Sequence, residues 1–469
     1  MYTGASFLAH AVGRRYLPGM NPTHSSDLGV VDDLIAGYAL SPGDPGWDAA
    51  ALPHSAYGAP TRIARPRSTD EVANAVRYAT AQGLGVAVRS GGHGAMAFSA
   101  ADAVLIDLGG LDRIEVGDGG LVRIGGGATW GAIADELTTH GLALTSGDTR
   151  SVGVGGLTLG GGIGWMVREH GLALDQLVGA QVVLASGEIV ETSEAAHPDL
   201  FWALRGGGNF GVVTRFDFRA HPVTGIVFGA LTFGADRLLP LMRAWREVMR
   251  EAPERLTVTL LAMPAFGDAP ATVQLVACWG DDDVAAADAA LAPLRALPGL
   301  LSDDVAPRGY ADVLDDPHPP EGAATVVDHN SFWAEFDDAG IDAVAAVHAE
   351  AAPSVLMIRY LRGASGRIAP SATAFAHRGA EVLVITAAFR AADVADDEVD
   401  RVRRLWATLE ERGIGRYGNF SSSTGDDTVA AMYPTATLAR LRDVKQRYDP
   451  GNLFSRNHNV HPGVHPVGA

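Results

Sequence analysis

Cysteine is all but missing from this chain: Cys278 stands alone among 469 residues. A disulfide within the chain is thereby excluded, and the apolar setting QLVACWG marks the thiol as a core residue rather than a nucleophile. Positive charge is scarce too, with 36 Lys and Arg against 55 Asp and Glu and a formal net charge of -19. Such a chain repels phosphate backbones and anionic membrane surfaces, so nucleic acid is not an expected partner. The acidic residues are scattered in short runs such as DDDVAAAD (281–288), which reads as a solvated surface. Long apolar runs are lacking: no window reaches the ~18 residues of a membrane span. The opening MYTGASFLAHAVGRRYLPGM also lacks the basic start of an export signal. The expected setting is the cytoplasm, away from membranes.

What the chain has in quantity is glycine, 57 residues of it, clustered at the ends of apolar elements. The length predicts two or three domains. STDEVANAVRYATAQGLG predicts a helix, with Ser68 and Glu71 at capping-box spacing and Val72, Ala75, Val76 and Ala79 on one face. VAVR (86–89) and AVLIDL (103–108) follow as buried strands, and IEVGDGGLVRIGGG as a hairpin turning at Gly117 to Gly120. WGAIADELTTHG predicts the next helix. TSGDTRSVGVGGLTLGGGIG (145–164) has a composition of neither helix nor linker and predicts backbone packed close against something. AQVVLASGEIVET reads as a hairpin, HPDLFWALRGGG as a helix and NFGVVTRFDFRAHPV as a strand. Beyond residue 225 glycine clusters thin out, and strands such as TVQLVACWG alternate with Ala-rich helices, predicting a second α+β domain on an antiparallel sheet.

Gly206, Gly208 and Gly211 spell GxGxxG, but a helix precedes and a strand follows, the reverse of a dinucleotide fingerprint. A nucleotide-triphosphate loop GxxxxGK[ST] is absent. Glycine loops can still turn several backbone N–H groups toward an anion, and a ligand with a pyrophosphate needs more than one such loop; tight turns alone are the competing explanation. His458, His461 and His465 are irregularly spaced without a carboxylate pattern, so no metal is expected. Asp315, Asp316 and His318 in LDDPHPP read as a proline-rich surface loop.

RSGGHG, then SVGVGGLTLGGGIG, DLFWALRGGGNFGVVT and YGNF…YDPGNLFSRNHN, in that order, resemble the berberine-bridge-enzyme-like flavoprotein oxidases of the vanillyl-alcohol-oxidase group. The resemblance implies an α+β, two-domain PCMH-type FAD-binding fold with an antiparallel-sheet substrate domain. It places an N-terminal segment over 1–60, an FAD-binding domain over 61–225, a substrate domain over 226–410 and the C-terminal part of the FAD domain over 411–469. It implies FAD bonded covalently through His93 and lined by Arg89, Ser90, Gly91, Gly92, Gly94, Thr149, Val152, Gly153, Gly155 and Gly156. The implied lining continues with Gly160, Gly162, Gly164, Asp175, Gly211, Val212, Val213, Asn457 and Asn459. Where some relatives carry a second, cysteinyl tether, this chain has Thr149, whose hydroxyl forms no thioether; a singly linked flavin is expected. Val152 stands where a small residue leaves room for dioxygen, which implies an oxidase.

The substrate side is less defined. Hydride transfer to a flavin calls for a proton acceptor near the substrate. By an ungapped count the family's acid or amide position falls on Thr386, on one strand face with Val384 and Ala388, and threonine is no base. Tyr417, opening YGNF, is the remaining candidate, as base or as polarising phenol; Phe420 replaces a second tyrosine of that motif. The expectation is an oxidase of a C–OH or C–N carbon in a small secondary-metabolite intermediate, giving hydrogen peroxide from dioxygen. An oligosaccharide oxidase, or a flavin-dependent oxygenase or cyclase, is the alternative.

Overall fold

Ser68 starts the fold's first long helix as its spacing predicts: the Oγ accepts from Glu71 N at 3.2 Å, and the Glu71 carboxylate reaches back to Arg67 N at 2.6 Å. A cap of this kind is worth about 1 kcal/mol. The helix runs Thr69–Ala81 and buries Val72, Ala75, Val76 and Ala79. The computed structural model describes residues 31–51, 60–94, 100–265, 268–316, 323–351, 353–391 and 396–463.

Beneath that helix lies a small mixed sheet of β1 (Ala39–Leu40), β2 (Arg62–Ala64), β3 (Gly85–Arg89) and β4 (Ala103–Asp107), in the order β1-β2-β4-β3. β2 and β3 both run parallel to β4. Next to it stands an antiparallel sheet of β5 (Ile114–Val116), β6 (Leu121–Gly125), β8 (Leu177–Val183), β9 (Ile189–Ser193) and β10 (Val212–Arg219), ordered β5-β6-β10-β8-β9. β7 (Leu142–Ala143) and β11 (His221–Pro222) form a separate ribbon.

The third sheet has eight antiparallel strands. They are β12 (Ile226–Gly234), β13 (Leu256–Met263), β14 (Thr272–Trp279), β15 (Leu300–Asp303), β16 (Ala306–Arg308), β17 (Ala323–Trp333), β18 (Val355–Tyr360) and β19 (Val382–Ala391). Their order is β15-β12-β14-β13-β18-β19-β17, with β16 beside β12. One face is covered by the helices Leu238–Glu251, Val284–Arg295 and Asp338–Glu350, whose apolar sides bury Trp245, Leu291 and Val344 against it. The change in composition near residue 225 thus coincides with passage from β10 to β12. The segment Thr435–Tyr448 returns as a helix to the first two sheets, packing beside Pro198–Leu204.

One local reading is corrected. The glycine-rich segment contains a helix, Val154–Gly160, although three of its seven residues are glycine. Each glycine costs about 1 kcal/mol relative to alanine in a helix, so packing decides. A Cβ on Gly153 would lie 2.1 Å from Gly91 N, and one on Gly91 would lie 2.2 Å from Gly153 N. Only two glycines let these backbones cross.

Two ion pairs fasten the two halves, that of Arg378 and Asp175 buried on both sides. Arg378, after β18, grips Asp175 of the first half through two 2.7 Å bonds, and Arg359 on β18 pairs with Asp148 and donates to Ile163 O at 3.0 Å.

Candidate active site

β3 ends at Arg89 and the chain turns through Ser90, Gly91, Gly92, His93 and Gly94 along one wall of a cavity of about 510 Å³. Arg89 is held by Asp107 at the end of β4, at 2.9 Å. The Ser90 hydroxyl donates to Gly126 O at 2.7 Å and accepts from Gly155 N at 3.2 Å, so one side chain ties the loop to two glycine segments. Thr149, Val152, Gly153, Gly155, Gly156 and Gly160 continue the wall, and Gly211 and Val213 close its far side. Asn457 completes the lining from the chain's last described segment, where its Oδ1 accepts from Asn209 Nδ2.

The expected FAD fits these residues. Gly156 and Gly208 both face the cavity, and a Cβ at either would meet no protein atom within 4 Å. Side chains are missing there to leave room, not to satisfy internal packing. His93 stands on the same wall as the two crossing glycines.

Six expected residues stand outside the lining. Gly162 and Gly164 are glycines because Cβ atoms there would strike Ala173 and Ser146 O at 2.3 and 2.0 Å. Asp175 is engaged with Arg378, and Val212 is packed in the core under the first helix. Asn459 turns its Nδ2 toward His461 at 3.4 Å. Thr386 is the correction with most consequence. It is buried on the opposite face of β19, its Oγ1 without a partner, while Ile385 and Ala387 face the cavity. Period-two alternation was read on the right strand but the wrong face: Val384 belongs to the helix-covered core, and Ala388 packs with Val399 and Trp406.

Asp328, absent from the expected set, does reach the cavity. It lies on β17 directly across from Ala387, lines the cavity, and accepts from Ser422 N at 3.0 Å and from the Ser422 hydroxyl. Two residues on, Asn330 holds the YGNF turn: its Nδ2 donates to Tyr417 O at 3.1 Å and Phe420 O at 2.7 Å, and its Oδ1 accepts from Tyr417 N at 2.7 Å. The signal was in the sequence. Asp328 and Asn330 in VVDHNSFW are polar residues two apart on one strand face, a pattern that needs partners when buried.

Tyr417 is buried at the same cavity with its phenol oxygen accepting from Gly162 N at 2.9 Å and Asn419 Nδ2 at 3.0 Å. Burial raises its pKa above the ordinary phenol value, and these two donors only partly offset that. The phenol is therefore a donor at neutral pH rather than a base. Phe420 and Phe375 pack edge-on against its ring, at 5.3 and 6.3 Å between centroids.

The loop of Asp315 and Asp316 is not a free surface loop. Asp315 forms a parallel bridge with Thr149, and Asp316 accepts from Ser151 N and Oγ at 2.9 and 2.5 Å. Ser151 in turn meets His93 Nε2 at 2.7 Å. His318 and His465 lie outside the described residues. His458 is buried at the cavity, where Nε2 contacts Ser423 O at 3.0 Å. Cys278 is fully buried in β14 and does not line the cavity. Among the described residues no helix is long and apolar enough to cross a membrane.

Residues 60–193 match the family model of an FAD binding domain, and residues 416–461 match that of berberine and berberine-like proteins. The chain is 31% identical over 456 residues to (R)-6-hydroxynicotine oxidase of Paenarthrobacter nicotinovorans, covering 91% of this chain and 97% of that one. The crystal structure of 6-hydroxy-D-nicotine oxidase from Arthrobacter nicotinovorans superposes with a TM-score of 0.81 at 29% identity, over 92% of this chain and 98% of that one. Glucooligosaccharide oxidase from Acremonium strictum, with a 6-S-cysteinyl, 8α-N1-histidyl FAD, has the same fold at a TM-score of 0.81 and 24% identity, over 93% of this chain and all of that one, 100%.

Proposed function

Since the chain belongs to the FAD-linked oxidases of the berberine-bridge-enzyme-like group, we propose that it oxidises a C–OH or C–N carbon of a small, largely apolar molecule. FAD is its cofactor, tethered once through His93. The bound flavin supplies the chemistry of accepting a hydride and passing two electrons to dioxygen, which leaves as hydrogen peroxide.

The protein's residues do the rest. Tyr417 donates a hydrogen bond to the substrate heteroatom. Asp328 takes its proton, or balances its charge when the substrate is an amine. The Ser422 contacts hold that carboxylate in place. Ile385 and Ala387 exclude water beside it, which strengthens both interactions. The observation that carries the reading is the presence of the Asp328 carboxylate and the neutral Tyr417 phenol at one cavity with Ile385, Ala387 and Phe420. It suits an amine or alcohol with an apolar body, whereas an oligosaccharide presents many hydroxyls that would need partners.

A single tether follows from the chain's one cysteine being buried in β14, with Thr149 at the cavity donating to Asp148 Oδ1 at 3.1 Å. Val152 lines the same wall and keeps it accessible to dioxygen. Anaerobic mixing with amines, alcohols and oligosaccharides tests the proposal. An apolar amine or alcohol should bleach the flavin, and air should restore its colour with one equivalent of peroxide. Bleaching by oligosaccharides alone would overturn the substrate class.

A further inference from the structure

A tethering histidine has to present one particular nitrogen, with its lone pair, to the flavin, and here a carboxylate from the other half of the chain is placed to arrange that. Asp316 is ionised, since the two bonds from Ser151 hold its carboxyl below the usual carboxylate range. An ionised carboxylate only accepts, so the Ser151 hydroxyl spends its single proton on Asp316. The Ser151 oxygen then accepts from His93, which puts an imidazole proton on Nε2.

We propose that Asp316, acting through Ser151, is the positioning residue that fixes this tautomer and so prepares His93 Nδ1 for attachment to the 8α carbon of FAD. The proposal rests on the covalent reading given above.

The carboxylate is built in rather than drifting near. Arg150 N donates to Asp315 O at 3.2 Å, Asp315 N donates to Asp148 O at 3.0 Å, and Arg150 Nη1 donates to Ala311 O at 2.8 Å. A short backbone ladder therefore locks the Asp316 loop to the Ser151 loop. Asp315, Asp148 and Arg150 are the other charged side chains on that ladder: Asp315 Oδ1 accepts from Asp316 N at 2.8 Å, and Asp148 and Arg150 are engaged with Arg359 and Asp135.

The bond formed is Nδ1 to the 8α carbon; the bonds broken are one C–H of that methyl group and the Nε2–H. Two electrons enter the flavin, and dioxygen removes them with the two protons as hydrogen peroxide. While the imidazole carries positive charge, Asp316 offsets it through Ser151. The arrangement has the logic of a carboxylate that orients a catalytic histidine, here with a hydroxyl between them.

The test measures attachment directly. Wild type, Ser151→Ala, Asp316→Asn and Asp316→Glu are purified, loaded with FAD, and sampled over time for flavin that stays with the polypeptide after acid precipitation. Native desalting reports bound flavin of either kind. Ser151→Ala and Asp316→Asn should bind FAD yet attach it at least ~10-fold more slowly, with the gap closing as pH rises because solvent base then removes the Nε2 proton of the imidazolium whose charge Asp316 otherwise offsets. Asp316→Glu should recover most of the rate. Attachment at the wild-type rate in Ser151→Ala, or a gap independent of pH, would overturn the proposal. Should Asp316→Asn fail to hold FAD through disturbance of the ladder, Ser151→Ala alone decides, because it removes one oxygen atom and no backbone contact. If wild type releases all its flavin on denaturation, it is the tether at His93 that fails. His93→Ala, which should bind FAD and attach none, marks the zero of the assay.

Discussion

At the scale of single residues, the roles proposed for Asp328 and Tyr417 can be told apart by substitution. Asp328→Asn keeps the shape of the Ser422 contact and removes the proton acceptor; kcat/KM should fall on the order of 10²-fold or more while melting temperature changes little. Tyr417→Phe removes the donor at the substrate heteroatom and should cost on the order of 10²-fold in kcat. Because burial holds the phenol above its ordinary pKa, its ionisation plays no part near neutrality. The pH profile of Tyr417→Phe should therefore keep the wild-type shape at a lower level, and a limb that vanishes with the substitution would contradict this role.

At the scale of elements, a pair of histidines shows how packing writes a pH dependence. His170, closing the short helix Val167–His170, stacks on His221 of β11 with ring centroids 3.9 Å apart. Burial lowers the pKa of both from 6.5 to about 4, with Arg255 adding to the effect at His170, and His170 adding to it at His221 against an opposing pull from Glu169. The unfolded chain binds more protons between these values, so stability is complete above about pH 6.5 and declines toward pH 4. Melting temperature measured across that range should fall, and His221→Gln should flatten the slope. A slope unchanged by the substitution would remove this pair as its source.

Elements are also where the sequence was most and least legible. The first helix, the 180–192 hairpin and the antiparallel sheet of the second half announce themselves through capping, period-two alternation and turn glycines. The helix Val154–Gly160 did not, because its three glycines argue against a helix locally and the close crossing of Gly91 and Gly153 that packs its start joins segments far apart in sequence. Thr386 failed for another reason. Alternation reports that a strand has two faces but not which one meets the ligand when both are buried, and β19 is covered on both. Asp316 was legible only as part of a proline-rich loop, since its bond to Ser151, and that of Ser151 to His93, are assembled only by tertiary structure.

At the scale of the whole molecule, the two halves meet through charge that has been taken out of water. Arg378 holds Asp175 with both side chains buried, and its guanidinium also receives the Thr373 hydroxyl and the Phe375 carbonyl as acceptors. Arg378→Met would strand the carboxylate, at a cost of about 3–5 kcal/mol; denaturant unfolding should show the loss, and the double variant Arg378→Met with Asp175→Leu should recover much of it. A single variant as stable as wild type would show that the pair contributes nothing to the joint between the halves.

The cavity wall has one more property of the whole chain. Val86 N, on the strand that leads to His93, donates to Leu453 O at 3.2 Å, and Arg456 and Asn457 close the wall beside it. Asp449 prepares that closure by accepting from Leu453 N and Phe454 N at 2.8 and 3.0 Å while Lys445 neutralises it. A pocket closed by residues 449–457 is not complete until that segment has been synthesised. Ribosomes stalled before residue 449 should carry chains that capture no FAD, and capture should appear only once that segment has cleared the exit tunnel, so that cofactor loading waits on it.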